Sequence, residues 1–468
     1  MIALTLAELA RAVNGTVAGP SLETVIDGPA SVDSREIAVG GLFVAVSGEH
    51  VDGHDFAEQA VADGAAAALV QRDLGVPAVV VPDTVEALGL LAHHVLSQLP
   101  SLRVIGITGS QGKTSTKDLV ASLLASSGET IAPIGSLNNE IGVPLTALRA
   151  TESTRFLVVE MGARGRGHIQ YLTTMVQPAV GAVLNVGVAH VGEFGSQQAI
   201  AESKGELVEA LPSDGVAVLN ADDDNVRAMA ARTAADVVLF GSSPKADVRV
   251  DDISLDSLGR LRCTLDVDGV AHALAVALVG EHHAHNVAAA VAIALNCGVA
   301  FDAVPALLAG FEQTSKWRME MSTTPNGVTI INDAYNANPD SMRAALRTLA
   351  ALGHSRGPDC RTFAVLGEMR ELGANSRDEH DAIGRLVVRL DVDQLVVVGA
   401  EARAVHLGAC LEGSWDRESV CVPDVDSAVD FVRATARRGD VVLVKASRAA
   451  GLERVALALI AGTDQVNV

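Results

Sequence analysis

The residues with the most distinctive chemistry form the run TGSQGKT at positions 108–114. An apolar run at 104–107 precedes it, and apolar residues in helical register follow at 118–124. The amides of such a strand–helix turn can bind phosphate oxygens, and the helix N-terminus adds positive potential. Lys113 is suited to bridging the β- and γ-phosphates of a nucleoside triphosphate, and Thr114 carries a hydroxyl suited to Mg²⁺.

This loop is a variant of the strict phosphate-binding pattern. The position five residues before Gly112 is occupied by Ile107, and the nearest glycine is Gly109. The flanking strand and helix still favour nucleotide binding over an ordinary strand–helix turn. The residues of the loop that we predict to bind ATP are Gly109, Ser110, Gln111, Gly112, Lys113, Thr114 and Ser115.

Two further apolar runs end in residues that could bind a metal ion. Glu160 follows the run 156–159, and the run 180–184 leads through Asn185 to His190. Parallel strands end at one edge of a sheet, so both side chains are expected near the phosphate loop. We predict that Glu160 binds Mg²⁺ and that His190 completes a second metal site. Taken singly, they could be a solvated glutamate and a structural histidine.

The sequence divides into three segments. Their patterns of strands and helices predict an α/β protein of three domains: 1–100, 101–316 and 317–468. The first combines a helix at 5–13, a strand at 41–46 and a helix at 55–63. The second contains the phosphate loop on a mostly parallel sheet. The third alternates strands at 328–331, 362–366, 394–398 and 441–444 with helices near 341–351, 377–389 and 427–437.

Composition excludes several classes of function. The chain has 468 residues, enough for about three domains, and its formal net charge of −22 argues against binding nucleic acid. No signal peptide and no apolar stretch of the ~20 residues that cross a bilayer is evident. The five scattered cysteines lack metal-ligand spacing. We therefore expect a cytoplasmic protein with reduced thiols.

Residues 108–116, Glu160, the segment 185–195 and Lys204 together resemble the Mur ligases, the ATP-dependent amide-forming enzymes of peptidoglycan precursor synthesis. Four further motifs resemble the MurF type of this family. They are Asp33-Ser34-Arg35, the segment 48–56 that contains His54, the run NNEIGVP at 138–144, and DAYNANP at 333–339. The resemblance extends from Asp33 to about Glu453.

The resemblance implies an N-terminal domain for a UDP-sugar, a central ATPase domain and a C-terminal Rossmann-like domain. It implies that Asn286, Arg318 and Asp333 contact the nucleotide, with Arg318 facing the γ-phosphate. It further implies that Lys204 is carbamylated and binds magnesium with Thr114, Glu160 and His190, although its predicted helix at 197–211 by itself suggests only an exposed lysine. The residues implied to contact the other substrates are Ser34, Arg35, His54, Asn138, Asn139, Asn336, Lys445 and Ser447. The C-terminal motif with Lys445 and Ser447 could equally be a plain strand–helix loop.

The activity implied by the resemblance is the joining of D-alanyl-D-alanine to UDP-N-acetylmuramoyl-tripeptide, with ATP and Mg²⁺, through an acyl phosphate. Lys113, Lys204, His190 and Arg318 are the expected catalytic residues, and we expect a monomer. The alternatives are an amino-acid-adding Mur ligase, a folylpolyglutamate synthase or a non-catalytic ATP switch. A folate-type ligase would lack the N-terminal domain, an amino-acid-adding relative should lack DAYNANP, and a switch would not need Glu160, His190 and Lys204 together. We expect hinges near residues 313–321.

Overall fold

The computed structural model describes residues 1–19, 22–48, 50–187, 194, 196–413 and 417–462. His190 lies outside these residues. The described chain is mixed α/β, as predicted, and is built on three main sheets of five, nine and six strands. None of its helices is both long and apolar enough to span a lipid bilayer.

The first sheet has the order β2-β7-β6-β5-β4, in which β2 runs antiparallel and the others are parallel. Strands β1 and β3 form a separate antiparallel pair. Helix α1 begins where Thr5 and Glu8 form a reciprocal capping box. The elements are β1 (Leu4–Thr5), α1 (Leu6–Ala12), β2 (Thr16–Ala18), β3 (Val25–Ile26), β4 (Ala30–Ser31), β5 (Leu42–Val44), α2 (Ala57–Ala62), β6 (Ala67–Val70), β7 (Ala78–Val80) and α3 (Thr84–Ser97).

The second sheet has the order β16-β15-β14-β13-β12-β11-β8-β10-β9. It is parallel from β9 to β14, and β15 and β16 extend it antiparallel. Its elements are β8 (Arg103–Thr108), α4 (Lys113–Ala125), β9 (Glu129–Ile131), α5 (Gly142–Ala147), β10 (Thr154–Glu160), α6 (His168–Val176), β11 (Val180–Val183), α7 (Gln197–Glu209), β12 (Val216–Asn220), α8 (Asp224–Arg227), β13 (Asp236–Gly241), β14 (Val248–Leu255), β15 (Arg260–Val267), β16 (Val270–Val279), α9 (His283–Asn296) and α10 (Val304–Ala309).

The third sheet has the order β17-β18-β22-β19-β20-β21, and only β17 is antiparallel to its neighbour. Its elements are β17 (Glu320–Thr323), β18 (Thr329–Asn332), α11 (Pro339–Arg356), β19 (Thr362–Leu366), α12 (Ser376–Arg389), β20 (Gln394–Val398), α13 (Arg403–Glu412), β21 (Ser419–Val422), α14 (Val425–Thr435), β22 (Val441–Lys445) and α15 (Glu453–Ala461). The domain boundaries at 100 and 316 stay a prediction.

The first and second sheets share an apolar cluster, whereas the third sheet packs largely by itself. One continuous apolar cluster runs from Leu6 and Leu88 of the first sheet's helices to Leu157 and Ile169 of the central layers. The third sheet has an apolar cluster of its own on each face. Val279 of the central sheet belongs to one of these two clusters. The part of the chain built on the third sheet, called the third unit below, therefore has a core largely separate from that of the first two sheets.

Candidate active site

The phosphate loop connects β8, in the middle of the central sheet, to α4. Asn185 at the end of β11 braces it, because the Gln111 amide donates to Asn185 Oδ1 at 3.0 Å and the Ser110 amide to the Asn185 carbonyl at 3.1 Å. These two amides are therefore engaged within the protein. Helix α4 begins at Lys113 without a side-chain cap, so the amides of its first turn lack an intrahelical partner and can bind phosphate.

The side chain of Lys113 folds back onto this loop. Its Nζ donates to the carbonyl of Gly109 at 2.7 Å. Burial lowers the pKa of Lys113; the charge of Glu160 opposes this shift and that of Arg318 adds to it. An anionic phosphate bound at the loop would stabilise the charged form of this ammonium.

Glu160 ends β10, the strand next to β8, and only 1% of its surface is exposed. Its Oε2 accepts from the Thr114 hydroxyl at 2.9 Å and its Oε1 from Asn138 Nδ2 at 2.8 Å. Among the described residues it forms no ion pair within 4.0 Å. A buried carboxyl group whose hydrogen bonds come from neutral donors is suited to binding a cation.

Arg318 reaches this centre from the segment that enters the third unit. Its guanidinium donates to the Thr114 hydroxyl at 3.3 Å and lies 4.2 Å from the centre of the Tyr335 ring. Its buried Nε has no hydrogen-bond partner within the described structure. An unpartnered buried donor on a cation facing the phosphate loop is suited to binding an anion.

Lys204 is buried, which corrects one prediction made from the sequence. The helical pattern alone predicts an exposed lysine, whereas in α7 only 4% of the surface of Lys204 is exposed. Burial, reinforced by the charge of Lys113, lowers the pKa of Lys204 to about 7. The signal was present in the sequence, because Ile200, Leu207 and Val208 share the buried face.

The third unit contributes a buried ion pair to the cleft. Lys445 Nζ, at the end of β22, donates to Asp333 Oδ2 at 2.6 Å and to the Asn336 carbonyl at 2.9 Å. Asp333 Oδ1 accepts the amide of Met319 at 3.1 Å, beside Arg318. Burial lowers the pKa of Lys445, and Asp333 opposes that shift. The pair therefore links the DAYNANP segment to the chain around Arg318.

Asn286 and His283 of α9, together with His282 just before this helix, line the cleft behind the loop. Gly112 has a φ of +81°, and a Cβ there would collide with Asn286 Oδ1. Asn286 Nδ2 lies 3.2 Å from His283 Nδ1, and within the described chain His283 Nε2 is buried without a partner. Burial holds the pKa of His283 well below its usual value and lowers that of His282 to about 4. Both rings are therefore neutral at pH 7.

These groups surround one cleft of about 280 Å³ between the central sheet and the third unit. It brings together most of the predicted site residues. Those that line it are Gly109, Ser110, Gln111, Gly112, Lys113, Thr114, Ser115, Asn138, Asn139, Glu160, Lys204, Asn286, Arg318, Asp333, Asn336 and Lys445.

Comparison with known proteins identifies the family. The chain matches the Mur ligase family catalytic domain over residues 30–95, the Mur ligase middle domain over 107–294 and the Mur ligase glutamate ligase domain over 317–448. It is 48% identical to the UDP-N-acetylmuramoyl-tripeptide--D-alanyl-D-alanine ligase of Mycobacterium bovis, with 98% of each chain covered. This chain belongs to the Mur ligase family.

Solved structures agree with this assignment. MurF from Acinetobacter baumannii superposes with a TM-score of 0.86 at 32% identity, covering 98% of this chain and 99% of that one. The MurF ligase of Thermotoga maritima, solved in complex with ADP, gives 0.79 at 28% identity, covering 92% and 97%. Within the Mur ligases, the similarity is therefore to the MurF type over the full length.

The predicted contacts to the UDP-sugar lie outside this cleft, on the first unit. Arg35 is exposed and pairs with Asp33 at 2.6 Å, beside Ser34. His54 is buried with both ring nitrogens engaged, Nδ1 with Asp52 Oδ1 at 2.6 Å and Nε2 with the Gln71 amide at 2.9 Å. A direct contact of His54 with a substrate would have to replace one of these bonds. The roles of these residues stay predictions.

Ser447 is similarly engaged within the protein. Its hydroxyl accepts the Arg370 amide at 2.9 Å and lies 3.4 Å from the Ala337 carbonyl. Both partners of this hydroxyl are backbone groups, so Ser447 orders the chain near the cleft. This favours the interpretation of the C-terminal motif as a plain strand–helix loop at this serine. Its predicted substrate contact stays a prediction.

Sequence reasoning missed the residues that hold the site together. The sequence places Asn185 in a segment that resembles the Mur ligases but carries no sign that Asn185 braces the phosphate loop. It assigns no role to Glu206, whose carboxylate accepts the amides of Gly167 at 2.6 Å and Gln170 at 3.0 Å at the start of α6. Tyr335 lies in DAYNANP and hydrogen-bonds Ser136 across the cleft. Each acts over a long sequence separation, for which one sequence carries no signal.

Proposed function

We propose that this protein joins D-alanyl-D-alanine to UDP-N-acetylmuramoyl-tripeptide with hydrolysis of ATP to ADP and phosphate, giving the UDP-linked pentapeptide. The observation that carries the proposal is the contact of Arg318 with Thr114 across a cleft that also holds Lys113, Glu160 and Lys204. Such an arrangement suits phosphoryl transfer rather than nucleotide binding alone. The full-length similarity to MurF ligases supports the choice of substrates.

In the first step a carboxylate oxygen of the tripeptide attacks the γ-phosphorus of ATP. A new phosphorus–oxygen bond forms, the bond to the β-phosphate oxygen breaks, and ADP departs. Two anions must approach each other, so the protein's contribution is electrostatic. Lys113 and Arg318 both line this cleft and can offset the charge that accumulates on the transferring group.

In the second step the amine of D-alanyl-D-alanine attacks the acyl carbon. The tetrahedral intermediate loses a proton from nitrogen and expels phosphate, which leaves an amide bond. The acyl phosphate must be kept from water, and residues of both the central and the third unit line the cleft in which we propose that it forms. Lys445 and Asn336 of the third unit line the cleft, and we propose that they contact the incoming dipeptide.

The site fits Mg²⁺ through the oxygen atoms of Glu160 and Thr114, which are ligands that this ion prefers. The described residues contain no ready cluster of three His, Cys, Asp or Glu side chains. The remaining ligands would come from the nucleotide, from a carbamate on Lys204 and from His190. The ion would supply positive charge to the phosphate oxygens.

A carbamate on Lys204 is chemically reasonable in this position. With a pKa of about 7, a substantial fraction of the amine is neutral at physiological pH. The neutral nitrogen can add to the carbon of CO₂ and lose a proton, forming a carbamate anion. This exchanges an ammonium beside Lys113 for an anion that can bind a metal ion.

We further propose that the enzyme acts as a monomer in the cytoplasm, with domains at 1–100, 101–316 and 317–468. One chain supplies all the cleft residues named above, and the connecting segment around 313–319 separates the second and third units. Light scattering of the purified protein, with and without substrates, tests the monomer.

The test of the function is phosphate release from ATP with UDP-N-acetylmuramoyl-tripeptide and D-alanyl-D-alanine, omitting each in turn. Release should require both. Release that a single amino acid or glutamate satisfies would indicate another ligase of the superfamily. Nucleotide binding without any substrate-dependent release would indicate a switch.

A further inference from the structure

A buried ion pair lies one helical turn after the residues that face the phosphates. Lys117 and Asp118 of α4 have 1% and 4% of their surfaces exposed, and Lys117 Nζ lies 2.6 Å from Asp118 Oδ1. None of the steps above uses either side chain. Because helix neighbours at i and i+4 share a face, they follow Lys113 and Thr114 directly along α4.

Asp118 holds the segment that connects the central and third units. Its Oδ1 accepts the hydroxyl of Thr314 at 2.8 Å, and its Oδ2 accepts the amide of Ser315 at 3.1 Å. Lys117 Nζ donates to the Ser315 hydroxyl at 3.2 Å, across 198 residues of sequence. The chain is therefore fixed to α4 three residues before Arg318.

Lys117 also holds the loop on the other side of the cleft. Its Nζ donates to the carbonyls of Pro133 at 2.9 Å and Gly135 at 3.3 Å. This loop continues to Asn138, whose amide group donates to Glu160. One ion pair thus supports both the segment that presents Arg318 and the loop that contacts the buried carboxylate.

The chain beyond Ser315 is strained. Trp317 and Met319, on either side of Arg318, adopt left-handed backbone angles with φ of +59° and +53°. Such conformations persist in non-glycine residues only when their surroundings enforce them. The Met319 amide donates to Asp333 and the Trp317 amide to Glu320. Arg318 is thus held between an anchor on α4 and an anchor on the third unit.

We infer that Lys117 and Asp118 are positioning residues that fix Arg318 and the Asn138 loop relative to the phosphate loop. The inference rests on the proposed function, because it assigns the pair an effect on the phosphoryl-transfer step. A buried ion pair adds little stability over an apolar pair, whereas its directional hydrogen bonds fix the position of both segments. The hinge that we expected within 313–321 then lies after Ser315.

The first experiment weakens the anchor without burying a new charge. Thr314→Val with Ser315→Ala deletes the two hydroxyls that contact Asp118 and Lys117, while the hydrogen bond from the Ser315 amide to Asp118 remains. Thr314→Ser is the conservative control that keeps the hydroxyl. In the double variant kcat should fall by about tenfold or more while the KM for ATP changes by less than about threefold, since the central-domain phosphate contacts remain. Thr314→Ser should retain nearly the full kcat. An unchanged kcat in the double variant would overturn the inference.

The second experiment separates positioning from stability. Asp118→Asn is compared with Asp440→Asn, because Asp440 is also buried in an ion pair, with Arg361 at 2.6 Å. The side chain of Asp440 accepts from Arg361 and Arg437 rather than from the segment that precedes Arg318. Both variants should unfold at lower temperature. Only Asp118→Asn should lower kcat in the folded protein. Equal losses of kcat would show that the effect is general destabilisation and would overturn the inference.

Fluorescence gives a readout independent of turnover. The chain contains two tryptophans, Trp317 and Trp415, so a Trp415→Phe background reports on Trp317 alone. Releasing the anchor should make the Trp317 ring more accessible to acrylamide, so that acrylamide quenches its fluorescence more strongly. Unchanged quenching would contradict the inference. If the parent protein shows no dipeptide-dependent phosphate release, the proposed function fails; if the parent is active and the anchor variants match it, only the inference fails.

Discussion

The guanidinium of Arg318 donates a hydrogen bond to the hydroxyl of Thr114, which lies 204 residues earlier in the chain. The same hydroxyl donates to Glu160, so a cation from one unit and a carboxylate from another meet at one oxygen. A phosphate bound at this point would contact groups that only the folded arrangement of both units brings together.

The first prediction concerns the shape of the Arg318 side chain. Arg318→Lys keeps a positive charge but loses the planar group stacked on Tyr335, so kcat should fall by about 100-fold or more with little change in the KM for ATP. Arg356→Lys is the matched control, because Arg356 also donates to a threonine hydroxyl, that of Thr329 at 2.8 Å, away from the cleft. Steady-state phosphate release measures both, and a fully active Arg318→Lys would contradict the assigned role.

The second prediction concerns Lys204 and CO₂. Burial makes the amine neutral above a pKa of about 7, so carbamylation should become more favourable as the pH rises through that value. Activity in CO₂-depleted buffer should therefore recover on addition of bicarbonate, with more recovery at pH 8 than at pH 6.

A variant tests the same group directly. Lys204→Ala should lose activity, and short carboxylic acids should restore part of it, while Lys245→Ala, at an exposed position, should behave as the parent. A parent indifferent to CO₂, together with an inactive Lys204→Ala that no acid rescues, would exclude the carbamate.

The sequence predicts the buried parallel strands best. The strands predicted at 362–366 and 394–398 match β19 and β20 in full, because each is a continuous apolar run between polar ends. Helix α11 begins two residues before the predicted helix, since Asn338 and Ser341 form a capping box around Pro339. Strands β14 to β16 are absent from the prediction, although the alternation of buried and exposed residues along β16 is the pattern of a half-buried strand.

In the candidate site, too, the sequence predicts the local features and misses the long-range contacts. Its local part, from Gly109 to Thr114, follows from spacing that one stretch of sequence contains. The contacts of Asn185, of Tyr335 and of the Lys117–Asp118 pair span tens to hundreds of residues, and only the packed sheets bring their partners together. His54 illustrates the reverse case, because its motif indicated a substrate contact while its ring is engaged by Asp52 and Gln71.

The third prediction tests the phosphate loop through its glycine. Gly112→Ala would require a left-handed alanine and a Cβ that collides with Asn286, so ADP binding should weaken by at least about tenfold. Gly165→Ala is the control, since a Cβ there meets nothing within 4 Å and φ is not left-handed. Isothermal titration with ADP measures both, and equal affinities would mean that the loop is not the nucleotide site.

The last prediction separates the structural and catalytic parts of the Asp333–Lys445 pair. Asp333→Ala leaves the Lys445 ammonium buried without its carboxylate and releases the Met319 amide, so the free energy of unfolding should fall by about 3 kcal/mol. Adding Lys445→Met removes the uncompensated charge and should restore much of that stability, because an apolar side chain suits the same buried position. Both variants should lack activity, since both lack the Asp333 carboxylate that accepts the Met319 amide beside Arg318. Chemical denaturation and phosphate release measure the two quantities separately, and a double variant that regained turnover would show that the pair acts only on stability.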